Sequence, residues 1–172
     1  MTITLSRRTF LKAGIAGTFA LAAAGGIYRL TRQAELPEKF VLDDSTKSVL
    51  SALIPVVLKD AIRPASPDLE SAIAGVRDAI MGLPLATQKE IQDLFGMLTL
   101  GPTRRFLAGL PDDWPQAKAE DVEAFLQSWR FSRFTLLQSA YHALHDLITG
   151  SWYGKESSWA AIGYPGPIKA LS

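Results

Sequence analysis

Residues 120–149, EDVEAFLQSWRFSRFTLLQSAYHALHDLIT, carry the longest run of helical spacing in the chain. Val122, Phe125, Leu126, Trp129, Leu136, Leu137, Tyr141, Leu144, Leu147 and Ile148 recur at steps of three and four, which puts them on one stripe of a helix. Ser132 and Arg133 interrupt that stripe, so the pattern predicts either a kinked helix or two helices meeting there. The same spacing continues upstream. Val49, Leu50, Leu53, Ile54 and Val57 mark a helix near Asp44–Leu58, with Pro55 predicting a kink or break. Ser66 and Pro67 suit the N-cap and first position of the next helix. Its buried stripe is Leu69, Ile73, Val76 and Ile80, and Gly82 and Pro84 stop it.

Thr87 and Glu90 read as a capping box before Ile91, Leu94, Phe95 and Leu98. Gly101-Pro102 ends that helix, and Thr103–Leu110 reads as a short one closed by the polar loop 111–115. No period-two pattern of useful length and no internal repeat is present. The fold class expected is all-α: a small bundle of four to six helices over residues 43–150, followed by an irregular tail rich in aromatic residues, glycine and proline.

Composition narrows the function classes. The 172 residues are 48% hydrophobic, too apolar for a disordered chain, and contain no cysteine. Disulfide frameworks, cysteine-ligated iron–sulfur or zinc sites and c-type haem attachment are therefore excluded. The formal charge is +1. Residues 1–28 hold Arg7, Arg8 and Lys12 and no acid, which leaves the remainder net acidic. No basic patch remains to neutralise phosphates, so nucleic acid is not an expected partner.

Ser6-Arg7-Arg8-Thr9-Phe10-Leu11-Lys12 precedes an uncharged stretch, Ala13–Ile27. A basic start followed by a short, mildly apolar segment is the form of an export signal. S-R-R-x-F-L-K resembles the bacterial twin-arginine signal, with Arg7, Arg8, Phe10, Leu11 and Lys12 at its defined positions. That resemblance implies export in the folded state through the twin-arginine translocase. Ala22-Ala23-Ala24 offers a cleavage site. If it is not used, residues 1–28 form an N-terminal anchor, although the apolar stretch is shorter than the ~20 residues that span a bilayer. Either outcome locates the domain in the periplasm or on the periplasmic face of the inner membrane. Residues 29–42 read as a linker.

Chemistry is harder to find. His142 and His145 sit three apart, on one helical face, beside Asp146. A metal site needs a third protein ligand, and no second cluster with metal-ligand spacing exists. Ser139 before His142 lacks the strained elbow and the glycine-rich oxyanion loop of a nucleophile. Nothing resembles a dinucleotide-binding or phosphate-binding glycine loop. The reading is no catalytic, cofactor-binding or metal-binding residue in this chain.

The tail, residues 151–172, differs from everything before it. Trp152, Tyr153, Trp159 and Tyr164 fall within thirteen positions, punctuated by Gly154, Gly163, Pro165, Gly166 and Pro167. Glycine and proline argue for an extended strap. Its aromatics either fold back on their own helices or dock on another protein, where Tyr and Trp are enriched at hot spots.

The twin-arginine start, the helical body, Trp129-Arg130 and the ending W-Y-x-x-x-x-x-W-x-x-I-G-Y-P-G-P together resemble the gluconate 2-dehydrogenase subunit 3 family. These are small subunits of bacterial sugar and alcohol dehydrogenase complexes. The resemblance implies a large-subunit partner, a flavoprotein of the glucose–methanol–choline type that holds FAD and oxidises the substrate. It also implies a cytochrome c subunit that commonly passes the electrons on. The small subunit, which has the signal, carries its partner out. Trp152, Tyr153, Trp159, Gly163, Tyr164 and Pro165 are then the expected partner contacts. The alternative is a free-standing exported helical binding or assembly module with a different client.

Overall fold

A computed structural model of the chain describes residues 39–166, except 60, 63 and 65. The signal residues Arg7, Arg8, Phe10, Leu11 and Lys12 and the end of the tail from 167 onward lie outside the described residues. What is described is all-α. Seven helices follow in order: α1 Asp44–Val57, α2 Pro67–Met81, α3 Leu85–Thr99, α4 Gly101–Leu107, α5 Ala119–Arg130, α6 Thr135–Tyr153 and the short α7 Glu156–Trp159. Trp114–Gln116 and Ala160–Ile162 are single 3₁₀ turns, and no strand occurs among the described residues.

Helix α1 is the axis of the body. Val49, Leu50, Leu53 and Ile54 are fully buried, because α1 packs against α2, α3, α5, α6 and the 114–116 turn. Complete burial of such a side chain contributes roughly 1.5–3 kcal/mol. The expected stripe of α2, Leu69, Ile73, Val76 and Ile80, is buried as a unit, and α2 lies along α6. The pattern of 120–149 resolves into two helices: α5 ends at Arg130 and α6 begins at Thr135. Val122, Phe125, Leu126, Trp129, Tyr141, Leu144 and Ile148 join one continuous core.

Four expectations are corrected. Pro55 does not break α1, which runs on for two residues past it. The ring removes one hydrogen bond, and the ladder resumes beyond it, with the Leu58 N–H donating to Ile54 O at 2.9 Å. The capping box at Thr87 and Glu90 does not form. Pro84 O already accepts the Gln88 N–H at 3.0 Å, so the helix starts at Leu85 and Thr87 lies inside it. Leu136 is exposed rather than part of the stripe, because it stands in the first turn of α6 at the corner with α5. The linker over 29–42 ends sooner than expected. Phe40 is buried against Phe95, their ring centroids 6.2 Å apart.

Three helix ends are closed by side chains from later in the chain. The last carbonyls of any helix lack intrahelical partners. Gln88, itself buried, donates through Nε2 to Met81 O at the end of α2 (3.2 Å) and to Leu83 O (2.8 Å). Its Oε1 accepts the Phe40 N–H at 3.0 Å, tying the incoming chain to the same point. Trp114 donates its indole N–H to Leu98 O in the last turn of α3 (2.8 Å), and Trp129 donates to Leu107 O, the last carbonyl of α4 (3.1 Å). The two indoles are joined through Phe125, edge-on to both. Each tryptophan thus fills core volume and satisfies a buried polar group at once.

The N-terminus of α1 is capped locally. Asp43 Oδ1 accepts the Thr46 N–H at 2.7 Å. Hydrogen bonding from the Thr46 hydroxyl, and secondarily from that N–H, holds the Asp43 carboxyl below its ordinary range against slight desolvation. Asp43→Ala is expected to lower unfolding free energy by about 1 kcal/mol at neutral pH. A depressed folded-state value means that the cap's charge-dependent contribution is present above the unfolded-state value and lost as pH falls through the folded one. Urea unfolding of both proteins should therefore show the gap narrowing in acid.

Candidate functional site

The segment after α6 carries the expected partner contacts, and its shape differs from an extended strap. Helix α6 continues through Trp152 and Tyr153 before Gly154 ends it. Residues 155–162 contain neither glycine nor proline, which is why helical turns form where a strap was expected. Lys155 reaches across to α2, its Nζ donating to Ser71 O at 2.9 Å. Ser158 is buried and donates through Oγ to Lys155 O at 2.7 Å.

Trp159 is the centre of this turn. Its indole N–H donates to Tyr153 O, the last carbonyl of α6, at 3.0 Å. This is the same device that closes α2, α3 and α4. Gly163 takes the left-handed conformation, φ +70°, which reverses the chain. Only glycine enters that region without strain. After the reversal the Tyr164 N–H donates to Trp159 O at 2.9 Å. The Tyr164 ring stands edge-on to the indole, centroids 5.2 Å apart. Gly166 then lies over the same indole, where a Cβ would stand 3.1 Å from the ring. Residues 159–166 therefore form a folded loop closed on one tryptophan.

The six expected contacts divide into two groups. Trp152 and Tyr153 are half-buried and pack against the body's own core, and Trp159 is half-buried within its loop. Gly163, Tyr164 and Pro165 are exposed on the outside of that loop. Ile162 stands with them, 53% exposed, and was not among the residues expected. Its signal was an apolar residue placed just before the glycine that turns the chain. The arrangement offers a small apolar surface, Ile162, Tyr164 and Pro165, on a backbone fixed by internal hydrogen bonds.

Elsewhere on the body, His142 is exposed and His145 is half-buried, both beside the Tyr141 ring. The contact of His145 Nδ1 with Asp146 Oδ1 is long, 3.3 Å. Among the described residues no three His, Asp or Glu side chains come together to hold a metal ion. A groove of about 480 Å³ runs along α1 beside the Trp114 turn, lined by Lys47, Ser51, Pro55, Pro64, Trp114 and their neighbours. A smaller one, about 160 Å³, holds His145 with Lys59 and Glu123, which pair at 2.8 Å. Arg104 is buried and pairs with Asp113, pinning the loop before α5. None of the described helices is long and apolar enough to cross a membrane. Compared with protein families, with curated proteins and with solved structures, the chain finds no match.

Proposed function

We propose that this chain is a non-catalytic small subunit that binds, helps mature and co-exports the FAD-dependent catalytic subunit of a sugar or alcohol dehydrogenase. The observation that carries the reading is the loop at 159–166. An exposed Ile162, Tyr164 and Pro165 are held on a pre-shaped backbone, and a surface ordered before contact loses less entropy on docking. The resemblance of both ends of the chain to gluconate 2-dehydrogenase subunit 3 supplies the kind of partner. FAD belongs to that large subunit and not to this chain, and a cytochrome c subunit is the onward electron carrier. The twin-arginine-like start with Arg7 and Arg8 supplies the route, so the complex works in the periplasm or on the periplasmic face of the inner membrane.

The division of the six residues sets the test. Ile162→Ser with Tyr164→Ala removes the exposed surface and leaves the Trp159 hydrogen bond in place. Trp159→Ala removes the loop's internal anchor instead. Each is expected to reduce recovery of the flavin-containing partner on the order of tenfold or more, the scale of a lost hot spot. The melting temperature of the Ile162/Tyr164 variant should fall only slightly, since neither side chain joins the core and only the edge-on contact of Tyr164 with Trp159 is lost. Full recovery of the partner with both variants would overturn the loop as the interface.

A further inference from the structure

A second surface lies at the corner between α5 and α6. Phe131 is 75% exposed, Leu136 79% and Phe134 half-exposed, which is unusual for side chains of this size in one turn. Their presentation is fixed. The Phe131 N–H donates to Gln127 O at 3.0 Å, and the Phe134 N–H donates to Ser132 Oγ at 3.1 Å. Gln138 donates from α6 to Ser132 O at 2.8 Å, closing the corner. The rings therefore stand outward on a rigid turn.

The charged side chains on the corner itself are both basic. Arg130 lies over the Phe131 ring at 5.2 Å and Arg133 over the Phe134 ring at 5.0 Å. No acidic residue occurs from 124 to 145. Through the Trp129–Leu107 hydrogen bond the same end of α5 meets the end of α4, where Arg105 and Phe106 are exposed, Phe106 at 91%. The stretch from 94 to 111 is also free of acid.

From these residues we infer that the α5–α6 corner is a peripheral binding site for an anionic phospholipid surface. Phe131, Phe134 and Leu136 enter the boundary between headgroups and acyl chains, and Arg130 and Arg133 pair with lipid phosphates at the same level. A protruding helical corner with apolar tips and a basic collar matches a lipid interface. Arg130 and Arg133, both exposed beside the rings, supply the charge complementary to an anionic headgroup layer. The inference does not depend on the flavoprotein, because vesicle binding is read on this chain alone.

The test uses the full chain with vesicles of phosphatidylcholine alone and of phosphatidylcholine with phosphatidylglycerol. R130Q/R133Q is expected to lower partitioning onto the anionic vesicles on the order of twenty-five-fold, about fivefold for each charge. F131S/F134S should lower it on both compositions, with the helical circular dichroism and melting of both variants unchanged. A second measurement separates this site from binding by the apolar segment 13–27. In F131W, brominated phosphatidylglycerol should quench the added indole emission beyond the quenching seen in the parent protein. No added quenching overturns the inference whatever the partitioning shows. So does a wild-type dimer, seen by light scattering without lipid, that F131S/F134S converts to monomer, since the corner would then be an interface between copies.

Discussion

Trp129→Ala is expected to lower the unfolding free energy by about 3–5 kcal/mol. Trp129 is fully buried, stands edge-on to Phe125 at 4.8 Å and gives its N–H to Leu107 O. Alanine removes the ring, leaves a cavity between α4 and α5 and strands the last carbonyl of α4. For a body of this size the melting temperature should fall by roughly 10–20 °C. Trp129→Phe separates the parts. It keeps most of the volume, losing the donor to Leu107 O and the outer part of the indole, so it should cost about 1–3 kcal/mol, largely for the carbonyl left unsatisfied. If the phenylalanine variant melted with the parent, the indole hydrogen bond would have no role and packing alone would explain the site.

Gln88→Ala is the second large effect, roughly 2–4 kcal/mol. One side chain serves three buried or half-buried backbone groups, Phe40 N, Met81 O and Leu83 O, which alanine leaves unpaired. Gln88→Met restores the volume without the hydrogen bonds and should recover little. Hydrogen exchange gives the finer readout. In either variant the Phe40 amide should lose protection, while amides in the middle of α6, far along the chain, keep theirs. Equal stability of Gln88→Met and the parent would contradict the account.

These two residues also show where the sequence stops being legible. The stripes of α2 and α5 were readable because helical spacing repeats within a few residues, as Leu69, Ile73, Val76 and Ile80 do. Closure of the helix ends was not. Gln88, Trp114, Trp129 and Trp159 act on carbonyls 5 to 22 positions away, through hydrogen bonds that exist only once the helices pack. No local motif encodes such a pairing. Thr87 and Glu90 show the reverse, since a motif with correct spacing was bypassed when Pro84 started the helix earlier. Leu136 misled for a related reason: periodicity carried across a corner assigns a face to residues that the turn has rotated outward.

The tail was legible in composition and not in shape. Its aromatics stood out, but which of them face outward depends on the αL turn at Gly163 and on the single bond from Trp159 to Tyr153. Residues 155–162 also form helical turns despite the glycines and prolines on either side. The outward surface is therefore Ile162, Tyr164 and Pro165, a narrower set than the aromatic count alone suggested.

The proposal of an escort subunit is tested most directly by extracting the tagged protein from its native envelope in mild detergent and reading the eluate by gel and by visible absorption. The account predicts a larger co-eluting chain and a flavin spectrum. A single colourless band that persists after cross-linking in the intact envelope would contradict it.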